Sequence, residues 1–281
     1  MALFKRDFNK PGPGVPKNAP RKRGFARFGE LMVRDFGNLV KLNLIYQLCI
    51  LLPQALLLLS LIGIGTAWFL IFGVLALIAC IPLGPAKTAM TYMITKMLRD
   101  DPGFIWHDFR RLFKENFKSS VIPGLVYGLV VGAQAFSFVF FSGGETSMWM
   151  LALLLFSIIV FHMAAPYYFL QTGYLELKSG GLLKNSLLLA LGNAPRSFVG
   201  AILGAGLVAA QMLLFPMLIP ISLVFGYTIP TLLNMMWIWP KVDSTFKIEK
   251  TLRQRASGET DEADEEAEET DSQMTETEDE D

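Results

Sequence analysis

Hydrophobic positions along this chain come in unbroken runs rather than at one-face spacing, and polar positions gather into islands between them. Runs of about 20 helical residues cross the roughly 30 Å of bilayer hydrocarbon. The pattern predicts spans over about 39–62, 67–83, 121–141, 148–170, 198–217 and 221–239. The last two come from dividing an apolar stretch too long for one helix near Pro216 and Pro220. The expected fold is an all-α membrane protein, six transmembrane helices arranged as three hairpins with interfacial helices on the cytoplasmic side.

The largest polar island runs over 82–118 and predicts two short helices separated by the turn Asp100-Asp101-Pro102-Gly103. In the second of them Ile105, Phe109, Leu112, Phe113 and Phe117 share one face at helical spacing. A helix over 25–36, with Phe25, Phe28, Leu31, Met32 and Phe36 on its apolar side, is expected to lie in the interface. A second, plainer island covers 171–196.

Charge fixes the expected orientation. Every Lys and Arg falls in the N-terminal arm and the start of the first run, the two long islands, or the segment after Pro240, and the three short turns hold none. By the positive-inside rule both termini and both islands face the cytoplasm. Composition agrees with a polytopic membrane protein, since hydrophobic residues make up 52% and charged residues only 18%. The neutral total charge conceals an asymmetry. Residues 256–281 hold 14 of the 25 acidic side chains and no basic one, leaving 11 acids against 25 bases over 1–255. Three segments follow: an unfolded basic arm at 1–24, a membrane domain at 25–255, and a solvated acidic tail at 256–281. The first 37 residues have no short apolar core, so no cleavable signal is expected.

Shifting the chain by 77 residues aligns 116–140 with 193–217 without gaps, and six of the 25 positions are identical, among them Asn116/Asn193, Ser120/Ser197 and Gln134/Gln211. With Gln54 in the first run, a glutamine falls midway along each odd-numbered span. An amide in hydrocarbon needs a partner, so Gln54, Gln134 and Gln211 either bond between helices, beside Gly128, Gly132, Gly204 and Ala205, or line a polar site. His162 is the single titratable group expected within the spans, either bonded inside the bundle or carrying protons. No span holds Asp or Glu, which removes ion-coupling carboxylates. Two histidines and two cysteines buried in apolar runs (Cys49 and Cys80) make no metal set, and no phosphate-binding loop or nucleophile elbow appears, so neither a cofactor nor enzymatic activity is expected. The bases lie on membrane flanks, which argues against nucleic-acid binding.

Asn43, the Leu83-Gly84-Pro85-Ala86 exit from the second run, and His107-Asp108-Phe109 continuing to Phe113-Lys114-Glu115-Asn116-Phe117-Lys118 resemble the YesL-like family of bacterial integral membrane proteins, a domain of unknown function. The resemblance covers about 25–250, while the Pro-rich arm and acidic tail look like additions. It carries over Gly84, Pro85, Asp108, Phe109, Glu115 and Asn116 as motif positions without known roles. Members look associated with ABC-type carbohydrate uptake, which implies an accessory subunit in a bacterial plasma membrane whose partners are the bilayer and ABC transporter subunits. The Glu-Ala-Ala motif of importer permeases is absent from the sequence, which argues against a permease. The alternative expectation is a stand-alone transporter of a neutral, hydroxyl-rich solute, with Gln54, Gln134, Gln211 and His162 as its polar site.

Overall fold

A computed structural model describes residues 21–22, 24–62, 65–101, 103–142, 147–175, 177–213, 217 and 219–257. Nearly all of the expected N-terminal arm and acidic tail therefore lies outside the described residues. Twelve helices and no strand occur among them: α1 (Gly24–Arg34), α2 (Phe36–Ile62), α3 (Thr66–Ala79), α4 (Leu83–Leu98), α5 (Ile105–Glu115), α6 (Phe117–Ser142), α7 (Met148–Tyr174), α8 (Ser179–Gly192), α9 (Ala194–Leu213), α10 (Ile219–Phe225), α11 (Thr228–Phe246) and α12 (Ile248–Ser257).

Three of these, α2, α6 and α7, are each long and apolar enough to cross a membrane, and the number rises to five if the bent pairs α3–α4 and α8–α9 count as spans. Large apolar side chains such as Leu48, Ile62, Ile71, Ile78, Ile122, Trp149 and Leu153 are exposed along these helices. That is the surface of a protein solvated by lipid, and the chain reads as a membrane protein. Among the described residues these helices do not establish six spans in three hairpins. The 67–83 run holds only a 14-residue helix, α3, which spans about 21 Å on its own. The 221–239 run is interrupted at Gly226-Tyr227, and part of 198–217 lies outside the described residues.

Helix α4 is the centre of the bundle, packed on α2, α5, α6, α7 and α11. It grows out of α3 through a turn at 80–82 with a 45° bend. Pro85 then sits within its first turn, where backbone N–H groups have no helical acceptor to lose. Thirteen of its 16 residues are buried, including Gly84, Ala86, Thr88, Ala89, Thr91 and Thr95. Such small side chains let backbones approach closely. At Gly84 the approach is extreme: a Cβ there would lie 1.9 Å from the Ser120 carbonyl oxygen and 2.9 Å from the Gly124 Cα.

Helix α5 has the expected amphipathic face. Its apolar side, Ile105, Phe109 and Leu112, is buried within the protein, and Phe113 packs partly against the same core. Asp108 is buried with them and pairs with Lys96 Nζ at 2.9 Å, tying α5 to the end of α4. Burial pushes the Asp108 carboxyl up, but bonds from Lys96 and His107 outweigh it and hold the group below its ordinary value.

Near the same end, Asp100, in the left-handed region with φ of 61°, gathers three arginines. Arg21 Nε reaches it at 3.1 Å, Arg27 Nη2 at 2.7 Å, and Arg34 Nη1 also contacts it. Arg21 extends to Glu249 of α12 at 2.9 Å, so residues before α1, the α4 exit and α12 are clasped together. Burial raises the Asp100 carboxyl and the arginine bonds more than offset this, leaving it below its ordinary value.

Candidate functional site

The first run of apolar residues places its inward face at Leu39, Leu42, Asn43, Tyr46, Ile50 and Pro53, three to four residues apart. Asn43 is fully buried and lies against the break between α10 and α11. Its Nδ2 donates to the carbonyls of Ser222 (3.3 Å) and Leu223 (2.8 Å), and its Oδ1 accepts from the backbone N–H groups of Tyr227 (2.9 Å) and Thr228 (3.2 Å). One amide thus serves the end of one helix and the start of the next. Gln47 Nε2 adds a bond to the Ser222 carbonyl at 2.7 Å, and Gln54 Nε2 donates to the Tyr227 hydroxyl. Unpaired backbone groups are costly away from water, so Asn43 and Gln47 allow a helix to break inside the bundle.

Beside this break lies a cavity of about 610 Å³, walled by α2, α3, α4, α6, α7 and α11. Its size falls in the range of pockets that enclose one small ligand. Most of the wall is aliphatic or aromatic, with Leu57, Phe69, Val74, Leu77 and Phe136 on one side, where Phe69 and Phe136 meet at 4.8 Å between ring centroids. Pro53 and Pro166 line it too. Lacking an N–H, they leave the carbonyls of Cys49 and His162 without their helical donors.

The polar groups are few. Tyr46, Gln54, Ser60, Lys87, Thr91, Tyr127, His162, Tyr227, Thr231 and Asn234 face or border the space, and among the described residues no Asp or Glu does. Lys87 Nζ rests 4.6 Å from the centroid of the Tyr127 ring and 5.7 Å from that of Phe169. The Tyr127 and His162 rings meet edge to face with centroids 6.4 Å apart. His162 Nδ1 lies 2.9 Å from the Ile158 carbonyl, so it carries the proton and donates, leaving Nε2 as an acceptor. Tyr46 and Tyr227 pack edge to face at 5.2 Å below Gln54.

The expected polar site is thus brought together in part. Gln54 and His162 share the cavity, whereas Gln134 is half-buried on α6 and is not one of the lining residues. The Gln211 side chain lies outside the described residues. His162 is not the lone titratable group, because Lys87 lines the same cavity and both approach the Tyr127 ring. Its sequence position, three residues past Gly84, reads as the start of a polar connector. The signal that marks it as internal is the density of Gly, Ala and Thr over 83–98, the composition of a helix packed on all sides.

The motif positions are structural in placement. Gly84 and Pro85 are buried against α6, Asp108 and Phe109 face inward from α5, and Glu115 is exposed. Asn116 occupies the junction between α5 and α6, its Nδ2 donating to the Leu112 carbonyl at 3.0 Å. Asn193 does the same at the α8–α9 junction, with Leu189 at 3.0 Å. Ser120 and Ser197, four residues on, are both buried and both donate to the preceding asparagine's carbonyl. Among the described residues no group of histidine, cysteine and carboxylate side chains is arranged to hold a metal ion.

A family model described as "Protein of unknown function, DUF624" matches residues 39–138, from α2 to most of α6. The match takes in Asn43, the Gly84–Gly124 contact, Lys87 and Tyr127. No curated protein and no solved structure matches this chain.

Proposed function

We propose that the protein is a membrane-embedded carrier of a small solute, and that the cavity beside the broken helix is its binding site. The observation that supports this reading is the juxtaposition itself. Tyr227 sits at the break between α10 and α11, lines the cavity, and accepts the Gln54 bond. Discontinuous helices that line a central site recur in secondary transporters; here Asn43 and Gln47 take the freed backbone groups, and the Tyr227 side chain is what the break brings to the cavity. The walls are largely apolar, so the solute has an apolar body with a few polar groups rather than a dense array of hydroxyls. In this reading the resemblance to YesL-like proteins extends to the fold. The paired Asn116 and Asn193 junctions are the trace of an internal repeat, and the charged end of the bundle faces the cytoplasm at a bacterial plasma membrane.

A photoreactive probe tests the site. An alkyl-diazirine decanol, applied to the protein in liposomes and mapped by mass spectrometry, is expected to label lining residues such as Leu77 and Tyr127. Labels found only on lipid-facing Ile71, Leu75 and Ile78 would remove the cavity from consideration.

A second reading rests on α5. With its apolar face spent on the core, it presents Trp106, His107, Arg110 and Arg111 outward. That face suits an accessory role beside an ABC-type carbohydrate importer. Affinity purification in mild detergent is expected to recover permease and ATPase subunits with the wild type and to lose them in a Trp106→Ala, Arg110→Ala, Arg111→Ala variant. Equal recovery by both forms would reject this contact.

A further inference from the structure

We infer that Lys87 is the counter-charge for the ligand, and that the ligand is an anionic amphiphile: one carboxylate group on an apolar body. The inference rests on the cavity being the binding site, and it adds the charge and class of what enters. Lys87 is half-buried on the central helix and lines the cavity, yet among the described residues no carboxylate lines it. Among the described residues, the carboxylates of neighbouring segments are engaged elsewhere: Asp100 with arginines, and Asp108 with Lys96.

A cation held away from water normally finds an anion. Here the partners supplied by the protein are the faces of Tyr127 and Phe169. Ring faces hold the ammonium in place and attract it weakly, but they leave its hydrogens without an acceptor as strong as an anion. Thr91, one helical turn further along α4, lines the same wall and supplies a hydroxyl within the polar corner. Beyond this corner the walls are Leu57, Phe69, Val74 and Leu77, which suit an alkyl or ring body. A polar corner with one positive charge and an apolar remainder is complementary to a head with one negative charge and an apolar tail.

The test uses two matched probes on the full chain in liposomes, at mildly alkaline pH so that the acid stays ionised. They are alkyl-diazirine decanoate and the alkyl-diazirine decanol that differs from it only in charge. Labelling of cavity residues by the carboxylate is expected to exceed that by the alcohol by roughly tenfold or more, the factor that a charge-assisted hydrogen bond confers. Lys87→Met is expected to equalise the two probes, and Lys87→Arg to keep the preference. Thermal unfolding of both variants separates lost binding from lost folding.

Equal labelling by acid and alcohol in the wild type, or a preference that persists in Lys87→Met, overturns the assignment of Lys87 while leaving the cavity as a site. Failure of both probes to label the cavity overturns the site as well. Competition by phosphatidylglycerol in the liposomes but not by free decanoate would show that a lipid phosphate is the occupant, and would also overturn the carboxylate assignment.

Discussion

Replacing Asn43 by leucine removes a side chain of similar volume from the point where α2 holds the broken helix. The amide makes four hydrogen bonds to backbone groups on both sides of Gly226-Tyr227. Leucine offers none, so two carbonyls and two N–H groups lose a partner. At about 1 kcal/mol net for each bond the loss is ~4 kcal/mol. Polar contacts inside membranes average less, about 0.6 kcal/mol, because the loosened groups find other partners. The expected destabilisation is therefore roughly 2–4 kcal/mol. Reversible unfolding in mixed micelles, followed by tryptophan fluorescence, measures it, with Leu48→Ala on the exposed face of the same helix as control. Because Tyr227 lines the cavity, Asn43→Leu is also expected to reduce cavity labelling in the fraction that stays folded. A variant within about 0.5 kcal/mol of wild type, the range of inconsequential surface changes, would refute the role given to Asn43.

Two further outcomes follow from the packing and the charges. Gly84→Ala places a methyl group 1.9 Å from the Ser120 carbonyl, so α4 and α6 must part; a loss of about 1–3 kcal/mol is expected in the same assay, against no measurable loss for Gly29→Ala, whose added Cβ meets nothing within 4 Å. The Asp100 carboxyl is held below its ordinary value of 3.8, so its contribution is complete above that pH and disappears as the pH falls through the lowered value. Melting temperature measured against pH is expected to show this acid-side loss in the wild type and a smaller one in Asp100→Asn.

How legible this structure was from the residues differs from element to element. Helices α2, α6 and α7 follow directly from the predominantly apolar runs at 39–62, 121–141 and 148–170. Which face of α2 turns inward does not follow, because leucines occupy lipid-facing and buried positions alike and the contrast that orients a helix in water is missing. Gln54 is a readable mark of its cavity side, since an amide in hydrocarbon must be satisfied, whereas Asn43 stands out only as a motif position and its four backbone bonds are not legible in the sequence. The amphipathic pattern of α5 marks Ile105, Phe109 and Leu112 as one face, but that face packs on the protein core instead of lying in the membrane interface, and Phe117 is exposed at the start of α6.

The central helix was the least legible. Its lysines and threonines read as a solvated connector, yet α4 is the most enclosed element, and its polar groups are spent on neighbours: Thr95 on Tyr174, Thr88 on Ser120, Lys96 on Asp108. Lys87 escaped notice for the same reason. The junction asparagines Asn116 and Asn193, found by a 77-residue offset, do share one local geometry. The offset says nothing of α4, which has no counterpart at that spacing.

The central claim is that a ligand occupies the space beside Gly73, and filling that space tests it most directly. Gly73 lines the cavity, and a Cβ added there meets no atom within 4 Å. Gly73→Trp is expected to fold normally and to lose the labelling of Leu77 and Tyr127 by alkyl-diazirine decanol, while Ile71→Trp on the exposed face of the same helix keeps it. Undiminished labelling of those residues in folded Gly73→Trp protein would contradict the account.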